Sequence, residues 1–561
     1  MKRTLQVLDF LLPVLLSCHG NYKTPTNNAI SAMELKRGKI ILCGPEEQQL
    51  GDVAFTTSCS GKVQKDFNTG ISLLHSFEYD EAEKAFAKVI DEDPGCAIAY
   101  WGVAMCNYHP LWAPPTPREL EKGARVMAVA ESLKKRSERE TDYIAALAPF
   151  YHNWRTTTHA DRCADFEKGM ERLHAKYPDD QEAAIFYALA LNGAADPADK
   201  TFAKQKKAGE ILTALSASLP NHPGITHYII HSYDYPELAE LALPAARRYA
   251  SIAPSSAHAQ HMPSHIFTRL GLWQECANAN LIATVAARCY AENTGIKGHW
   301  DEELHSMDYL VYAYLQQGQN AKAREQYDYL NTIQEVHPVN FKVAYAFAAI
   351  PARYLLENRL WQDAAALRPH QANLPWEQYP WQKAIIHFTR LMGAAHTGAL
   401  VAARIELDTL NQLHDALAAQ QDVYKANQVD IQRKTGAAWI LLKEGKRDSA
   451  LLLMHAAANM EDNTQKHPVT PGEVLPAREL LGDMLLQLSR PEEALAAYEE
   501  DLKQHVNRFN GLYGAAQAAE QCHKKDKAAA YYRQLVKISS TGDASRPELT
   551  LAGDFLKGKG N

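Results

Sequence analysis

One histidine pair occurs twice in this chain at a fixed distance. His227 and His231 lie in HPGITHYIIHSYD, and His261 and His265 lie in SAHAQHMPSHIFTR. His227 and His261 are 34 residues apart, and so are His231 and His265. Within each pair the spacing is i, i+4, which on a helix stacks both rings on one face. A recurrence of that length constrains the fold more than composition does. Each copy is one supersecondary unit, and the units bury their apolar faces against their neighbours.

The same period runs through small and aromatic positions elsewhere. From residue 63 onward the pattern is helical, with polar breaks and few alternating β-branched runs. Gly70, Tyr79, Ala82, Phe86 and Pro94 mark one unit. Near the other end Gly482, Ala494 and Tyr498 mark another, with Ala528 and Tyr532 one period on. Between them Ala242 with Pro254, Gly271 with Trp273, and Gly318 with Ala323 and Tyr327 mark further units. So do Trp361 with Ala364, and Gly445 with Ala450 and Met454. This pattern resembles the tetratricopeptide repeat superfamily over most of residues 63–540. The segments HSFEYDEAEKAF, AYWGVAMCNYHPLW, HPGITHYIIHSYD, HMPSHIFTRLGLW and KHPVTPGEVLPARELLGDMLL resemble large exported bacterial members of it, with HPGxxHYxIH and HxxHMPSHIF as the most distinctive stretches.

The resemblance implies an all-α, tetratricopeptide-type superhelical solenoid behind a short non-repeat N-terminal segment. The expected organisation is a leader at 1–18, a linker and cap at 19–62, and a first solenoid at 63–345 with a histidine-rich concave groove. A second solenoid at 346–540 and a tail at 541–561 follow. Residues 109–117, HPLWAPPTP, interrupt the helical pattern because proline lacks a donor and restricts its neighbour. Residues 291–303, AENTGIKGHWDEE, read as an insertion that loops out of the stack.

In tetratricopeptide units, positions 2, 5, 9, 12 and 13 of the first helix line the groove. That numbering places His227, His231 and Asp234 at 5, 9 and 12 of one unit, and His258, His261, His265 and Arg269 at 2, 5, 9 and 13 of the next. His305, Asp308 and Tyr312 occupy 2, 5 and 9 of a third. Imidazole is the commonest metal ligand, and carboxylates complete many such sites. The expected ligands are therefore His227, His231, His261 and His265, with His258, His305 and Asp308 as further ligands, supporting partners or a second metal site. Asp234, Arg269 and Tyr312 line the ligand groove. Zinc is the first expectation, copper or iron the alternatives. Pro263 falls inside a groove helix, so either that helix starts later or a kink aims the histidines. A groove histidine that only hydrogen-bonds a carboxylate or a peptide is the metal-free alternative. His75, His109, His152, His387 and His455 read as structural or solvated. His467 with Glu479 and Asp483 reads as a charged face, and Trp101, Tyr108 and Trp112 read as core.

The chain has 59 basic and 66 acidic residues and a net charge of −7, which argues against a nucleic-acid partner. At the N-terminus Lys2 and Arg3 precede an apolar stretch from Leu5 to Leu16. Leu15-Leu16-Ser17-Cys18 resembles the lipobox of bacterial lipoproteins, which implies export and a lipid on Cys18 as the only membrane attachment. A degenerate leader, broken by Asp9 and Pro13, is the alternative. Cys43 and Cys59 flank a short pre-repeat segment and are candidates to pair in an oxidising compartment. Cys96, Cys106, Cys276 and Cys289 read as core residues.

Three functions fit. One is an exported binding scaffold whose groove carries a metal and takes a peptide, protein or small ligand. Another is a metalloenzyme in which Asp234 or Asp308 acts as base and Arg269 holds an anion. The last is a metal-free assembly platform of the cell envelope, facing periplasm or exterior. HYIIH and HMPSH lack the glutamate of a zinc protease, and no nucleophile elbow or phosphate-binding glycine loop occurs.

Overall fold

In the computed structural model the described residues are 24–44, 49–111, 114–372, 374–543 and 546–558. Cys18 and its leader, and Trp112, lie outside them. From Gln64 onward the chain is a succession of antiparallel helices, each packed on the next, from the Gln64–His75 and Tyr79–Glu92 pair to Lys525–Ile538 and Pro547–Leu556. This is a tetratricopeptide-type helical-repeat solenoid. Among the described residues the only strands are His299–Trp300 and Val336–His337, which pair in parallel. No helix of the described residues is long and apolar enough to cross a membrane.

The small-and-aromatic period has a direct steric cause. A Cβ on Gly70 or on Gly102 would stand 2.6 Å from the Phe86 ring, so the two glycines let neighbouring helices close on one aromatic side chain. Gly482 and Gly514 make the same room for Tyr498 near the other end. Helix starts are set by local chemistry. Thr116 and Ser137 form capping boxes with Glu119 and Glu140, and Pro117 occupies the first helical position after the proline-rich break. Gly271 and Gly318 end helices at φ +62° and +65°, where a side chain would be strained.

Apolar packing forms two large clusters, one from Ile30 to Leu374 and one from Tyr345 to Ala552, which interleave around the Phe341–Glu357 helix. The superhelix is tight enough for late units to meet early ones. Trp273 Nε1 donates to the Asn507 carbonyl (2.8 Å), and Phe509 N donates to Gln316 Oε1 (2.8 Å). Arg508, fully buried, pairs with Glu357 and Glu479 and donates to the Tyr312 hydroxyl at 2.9 Å.

The N-terminal segment and the breaks correct several expectations. Cys43 and Cys59 do not pair with each other. Cys59 bonds Cys96, and Cys43 bonds Cys289, 246 residues away, so Cys96 and Cys289 are crosslinks rather than free core thiols. Cys106 and Cys276 are free and buried. Residues 291–303 do not loop out: Ala291–Thr294 complete the long Trp273–Thr294 helix, His299–Trp300 pair with the strand at 336–337, and Asp301 starts the next helix. The chain does break at Pro263. One helix covers Ala257–His261, and a second, Pro263–Arg269, starts on the proline itself, where a missing N–H costs nothing. Trp101 and Tyr108 are fully buried core residues.

Candidate metal centre

Four short stretches bring the site together: the Pro223–Tyr233 helix, the two helices on either side of Pro263, and the Asp301–Gln316 helix. Their histidines fall into two triads. His227, His231 and His258 form one, and His261, His265 and His305 form the other, each with one nitrogen per ring within 4.8 Å of the others. All six are buried except His231, which is half-buried. The i, i+4 spacing places His231 Nε2 at 3.0 Å from His227 Nε2, and His261 Nε2 at 3.1 Å from His265 Nε2.

The opposite nitrogens decide what these contacts mean. His227 Nδ1 lies 2.6 Å from the carbonyl oxygen of His75, which can only accept, so Nδ1 carries the proton. His265 Nδ1 donates to the Asp234 carboxylate at 3.1 Å. His261 Nδ1 donates to Asn280 Oδ1 at 2.7 Å. The Asn280 amide is fixed in that orientation because its Nδ2 donates to the Cys276 carbonyl at 2.8 Å. With Nδ1 protonated in both neutral rings, His261 Nε2 and His265 Nε2 present lone pairs to each other and no proton lies between them. At the other pair the contact is a hydrogen bond when His231 carries its proton on Nε2, and a second meeting of lone pairs when it carries it on Nδ1.

Burial, reinforced by the neighbouring imidazoles, drives His227, His231, His258, His261 and His305 well below the ordinary histidine range. Burial lowers His265 as well, with Asp234 opposing. The rings are therefore neutral near pH 7, the state in which imidazole binds metal. Two ligand bonds of about 2.0–2.1 Å subtending an angle between a right angle and a tetrahedral one place their nitrogens roughly 2.9–3.4 Å apart. The 3.1 Å between His261 and His265 lies in that interval.

The expected groove residues are placed differently from their unit positions. Asp234 is gripped by His265, by Arg269 Nε at 2.9 Å and by Lys466 Nζ at 3.1 Å. Burial alone would raise its carboxyl, but Lys466, Arg269 and His265 hold it well below the carboxylate range. Asp308 belongs to neither triad. It accepts from Arg353 Nε at 3.1 Å, and burial raises its carboxyl against the pull of that guanidinium. Tyr312 packs beneath Arg353 and accepts from Arg508. With every one of these acidic groups engaged by a cation, neither Asp234 nor Asp308 stands ready as a general base.

The groove itself is filled. Residues 463–476, between the Arg447–Asp462 and Ala477–Gln487 helices, run through it without helical structure. Lys466 reaches Asp234, the Val469 carbonyl accepts from Tyr309, and the Gly472 carbonyl accepts from Tyr345 and Arg353. The expected open peptide groove is therefore occupied by the chain's own segment, and the cavity left beside Arg269 and Tyr312 holds only about 30 Å³. Burial pushes the Lys466 ammonium down to about 8 despite Asp234. His467, read as part of a charged face, instead packs among the rings of Phe341, Trp381 and Tyr424, while Glu479 pairs with Arg508 and Asp483 with Arg359.

A third cluster escaped the repeat numbering. His75 Nε2 and His222 Nε2 lie 2.9 and 3.0 Å from the two oxygens of Glu182, and His75 Nδ1 lies 3.0 Å from the Tyr228 hydroxyl. Its one sequence signal is Gly224 in HPG, where a Cβ would stand 2.6 Å from His75 Nδ1.

No family model matches the chain. No curated protein matches it either. Among solved structures it is similar to yeast Tom70, at 12% identity and a TM-score of 0.31, over 89% of this chain and 95% of that one. It is also similar to Cut9 in the APC/C hetero-tetramer Cut9–Hcn1, at 12% identity and a TM-score of 0.27, over 89% of this chain and 96% of that one. The P58(IPK) TPR domain is similar at 16% identity and a TM-score of 0.20, over 68% of this chain and 99% of that one. Likeness this distant says nothing about activity, and the helix pairing described above carries the fold.

Proposed function

We propose that this chain is a helical-repeat scaffold that holds a transition metal on buried imidazoles along its inner face. One observation carries the reading: two neutral histidines, His261 and His265, have their Nδ1 protons committed elsewhere and their Nε2 lone pairs 3.1 Å apart. A shared cation turns that repulsion into two ligand bonds. Asn280, Asp234 and the His75 carbonyl are the outer partners that fix ring orientation in histidine metal sites. Export with a lipid on Cys18 is part of the same proposal, and the Cys43–Cys289 and Cys59–Cys96 crosslinks support an oxidising compartment. Any peptide or protein partner of the inner face competes with residues 463–476.

The test is elemental analysis of tag-free protein purified without chelator, followed by thermal unfolding with and without added zinc, copper or iron. Bound metal near one or two ions per chain, lost in a folded His261→Ala/His265→Ala variant, is the expected result. Metal-free protein whose unfolding temperature is unmoved by all three ions overturns the proposal.

A further inference from the structure

The two triads are not independent. His258 and His261 sit three residues apart on one short helix and belong to different triads. Residues at that spacing have Cβ atoms only about 5–6 Å apart. Across the same boundary the His231 and His265 rings lie 6.5 Å apart, as do those of His258 and His261. Each triad has the same composition: an i, i+4 pair from one unit and a third ring from the helix of the next. Ions held by these two triads would be near neighbours, and two-metal centres hold their ions about 3.5–4 Å apart.

The donor set also selects the metal. Neither triad contains a carboxylate or a thiolate, so all six ligands are neutral. Lys342, Lys466 and Arg269 act on these rings, and each is itself ion-paired, Lys342 with Asp301 and Glu302 and the other two with Asp234. Asp234, the carboxylate that orients His265, is already engaged by two cations. The cost of burying an ion grows with the square of its charge, so in a neutral, buried set a monovalent ion is penalised about a quarter as much as a divalent one. Of the metals that imidazole suits, copper alone has a stable monovalent state. The cavity beside His305, lined also by Asp308, Lys342, Tyr345 and Thr470, holds about 10 Å³, room for one water-sized ligand on the second triad.

From this we infer that the protein carries a dinuclear copper centre, one copper on His227, His231 and His258 and a second on His261, His265 and His305, close enough to share one small bridging ligand. The inference rests on the metal-holding reading above and adds nuclearity and identity to it.

The experiment loads metal-free protein anaerobically with Cu(I) and removes excess ion with a chelator. Copper per chain is then measured, and the X-ray absorption spectrum recorded. Two coppers, an imidazole-only ligand shell and copper–copper scattering at 3–4 Å are expected. His305→Ala and, separately, His258→Asn retain one copper each and lose that scattering, while their metal-free unfolding temperatures show whether each is folded; two variants at opposite triads keep the test open if one fails to fold. One copper in the wild type, or two without mutual scattering, overturns the dinuclear inference and leaves the metal-holding reading standing. Zinc that displaces Cu(I) from both triads overturns the identity. No retention of copper, zinc or iron overturns both.

Discussion

Two histidine clusters in this fold have opposite proton chemistry. Around Glu182, His75 and His222 each direct Nε2 at one carboxylate oxygen, and the Tyr228 hydroxyl meets His75 on its other side. Every short contact there joins a donor to an acceptor, and of the ring nitrogens only His222 Nδ1 lacks a partner among the described residues. Around His261 and His265 the donors are spent on Asn280 and Asp234, and acceptor faces acceptor. Both clusters bring three potential metal ligands within 4.8 Å of one another. Only in the second would a shared ion relieve two facing lone pairs. Residue type and proximity therefore identify candidates, and the partner of the far nitrogen separates a structural network from a metal site.

The largest effect expected from this contrast is at Glu182. Glu182→Ala leaves two buried imidazoles without their shared carboxylate, and each hydrogen bond to a charged group is worth about 1.5–3 kcal/mol. A drop of that size in chemical-denaturation stability, with metal content unchanged, is the expected outcome; loss of metal with stability intact would make the Glu182 cluster the metal site. The acid side sharpens it. Burial opposes ionisation of Glu182, but His222 and His75 hold its folded pKa well below the ordinary carboxylate value. Its contribution is then present above about 4.5 and is lost as pH falls through the depressed folded value. The variant lacks that portion of the acid-induced loss.

Next in size is His261→Gln. A glutamine amide can donate toward His265 Nε2 where His261 offers only a lone pair, so the metal-free variant is expected within about 1 kcal/mol of wild type, the range of mild substitutions. The metal-dependent gain, about 2.7 kcal/mol at a hundredfold excess of ion over Kd, shrinks or disappears. The readout is the unfolding temperature with and without metal. A metal-free variant that loses several kcal/mol would mean that His261 and His265 are an ordinary satisfied pair, and the contrast with Glu182 would collapse.

Much of the second cluster is legible in sequence and almost none of the first. His227, His231, His258, His261, His265 and His305 recur in the register of one repeat, and the repeat announces itself because Gly70, Gly102 and Phe86 must interlock by size. Periodicity reports what neighbouring units share. It is silent about contacts between distant units. His75 and Glu182 are 107 residues apart, and Cys43 finds Cys289 across 246, through closure of the superhelix rather than through any local pattern. Asp308 holds a groove position by its number, yet the fully buried Arg353 on the 341–357 helix claims its carboxylate. The filling of the groove by residues 463–476 is invisible for the same reason. KHPVTPGE reads as a break between helices, and its partners Asp234, Tyr309 and Arg353 come from three other helical units.

That segment also covers the two clusters unequally, which gives the smallest of the three effects. Lys466 touches Asp234, the orienting partner of His265, while none of its described hydrogen bonds reaches His75, Glu182 or His222. Its far end is held by His505, whose Nε2 meets Glu473 at 3.2 Å and whose Nδ1 meets Asp501 at 2.9 Å. Burial disfavours the imidazolium, but Asp501 and Glu473 raise it well above 6.5. Burial likewise opposes ionisation of Glu473, which His505 nonetheless lowers to about 2. The His505 contribution is fully present below 6.5 and is lost as pH rises through its raised folded value. The Glu473 contribution is fully present above about 4.5 and is lost as pH falls toward 2. Attachment is therefore strongest between about pH 4.5 and 6.5. Glu473→Gln removes one charge-assisted contact worth about 1.5–3 kcal/mol, with the lower end expected because His505 keeps Asp501. Amide hydrogen exchange over 463–476 should speed up in the variant, and in wild type above pH 6.5, together with the rate of metal loss to an external chelator. Exchange that speeds up without faster metal loss would show that the segment covers the groove without guarding the metal site proposed at His261 and His265.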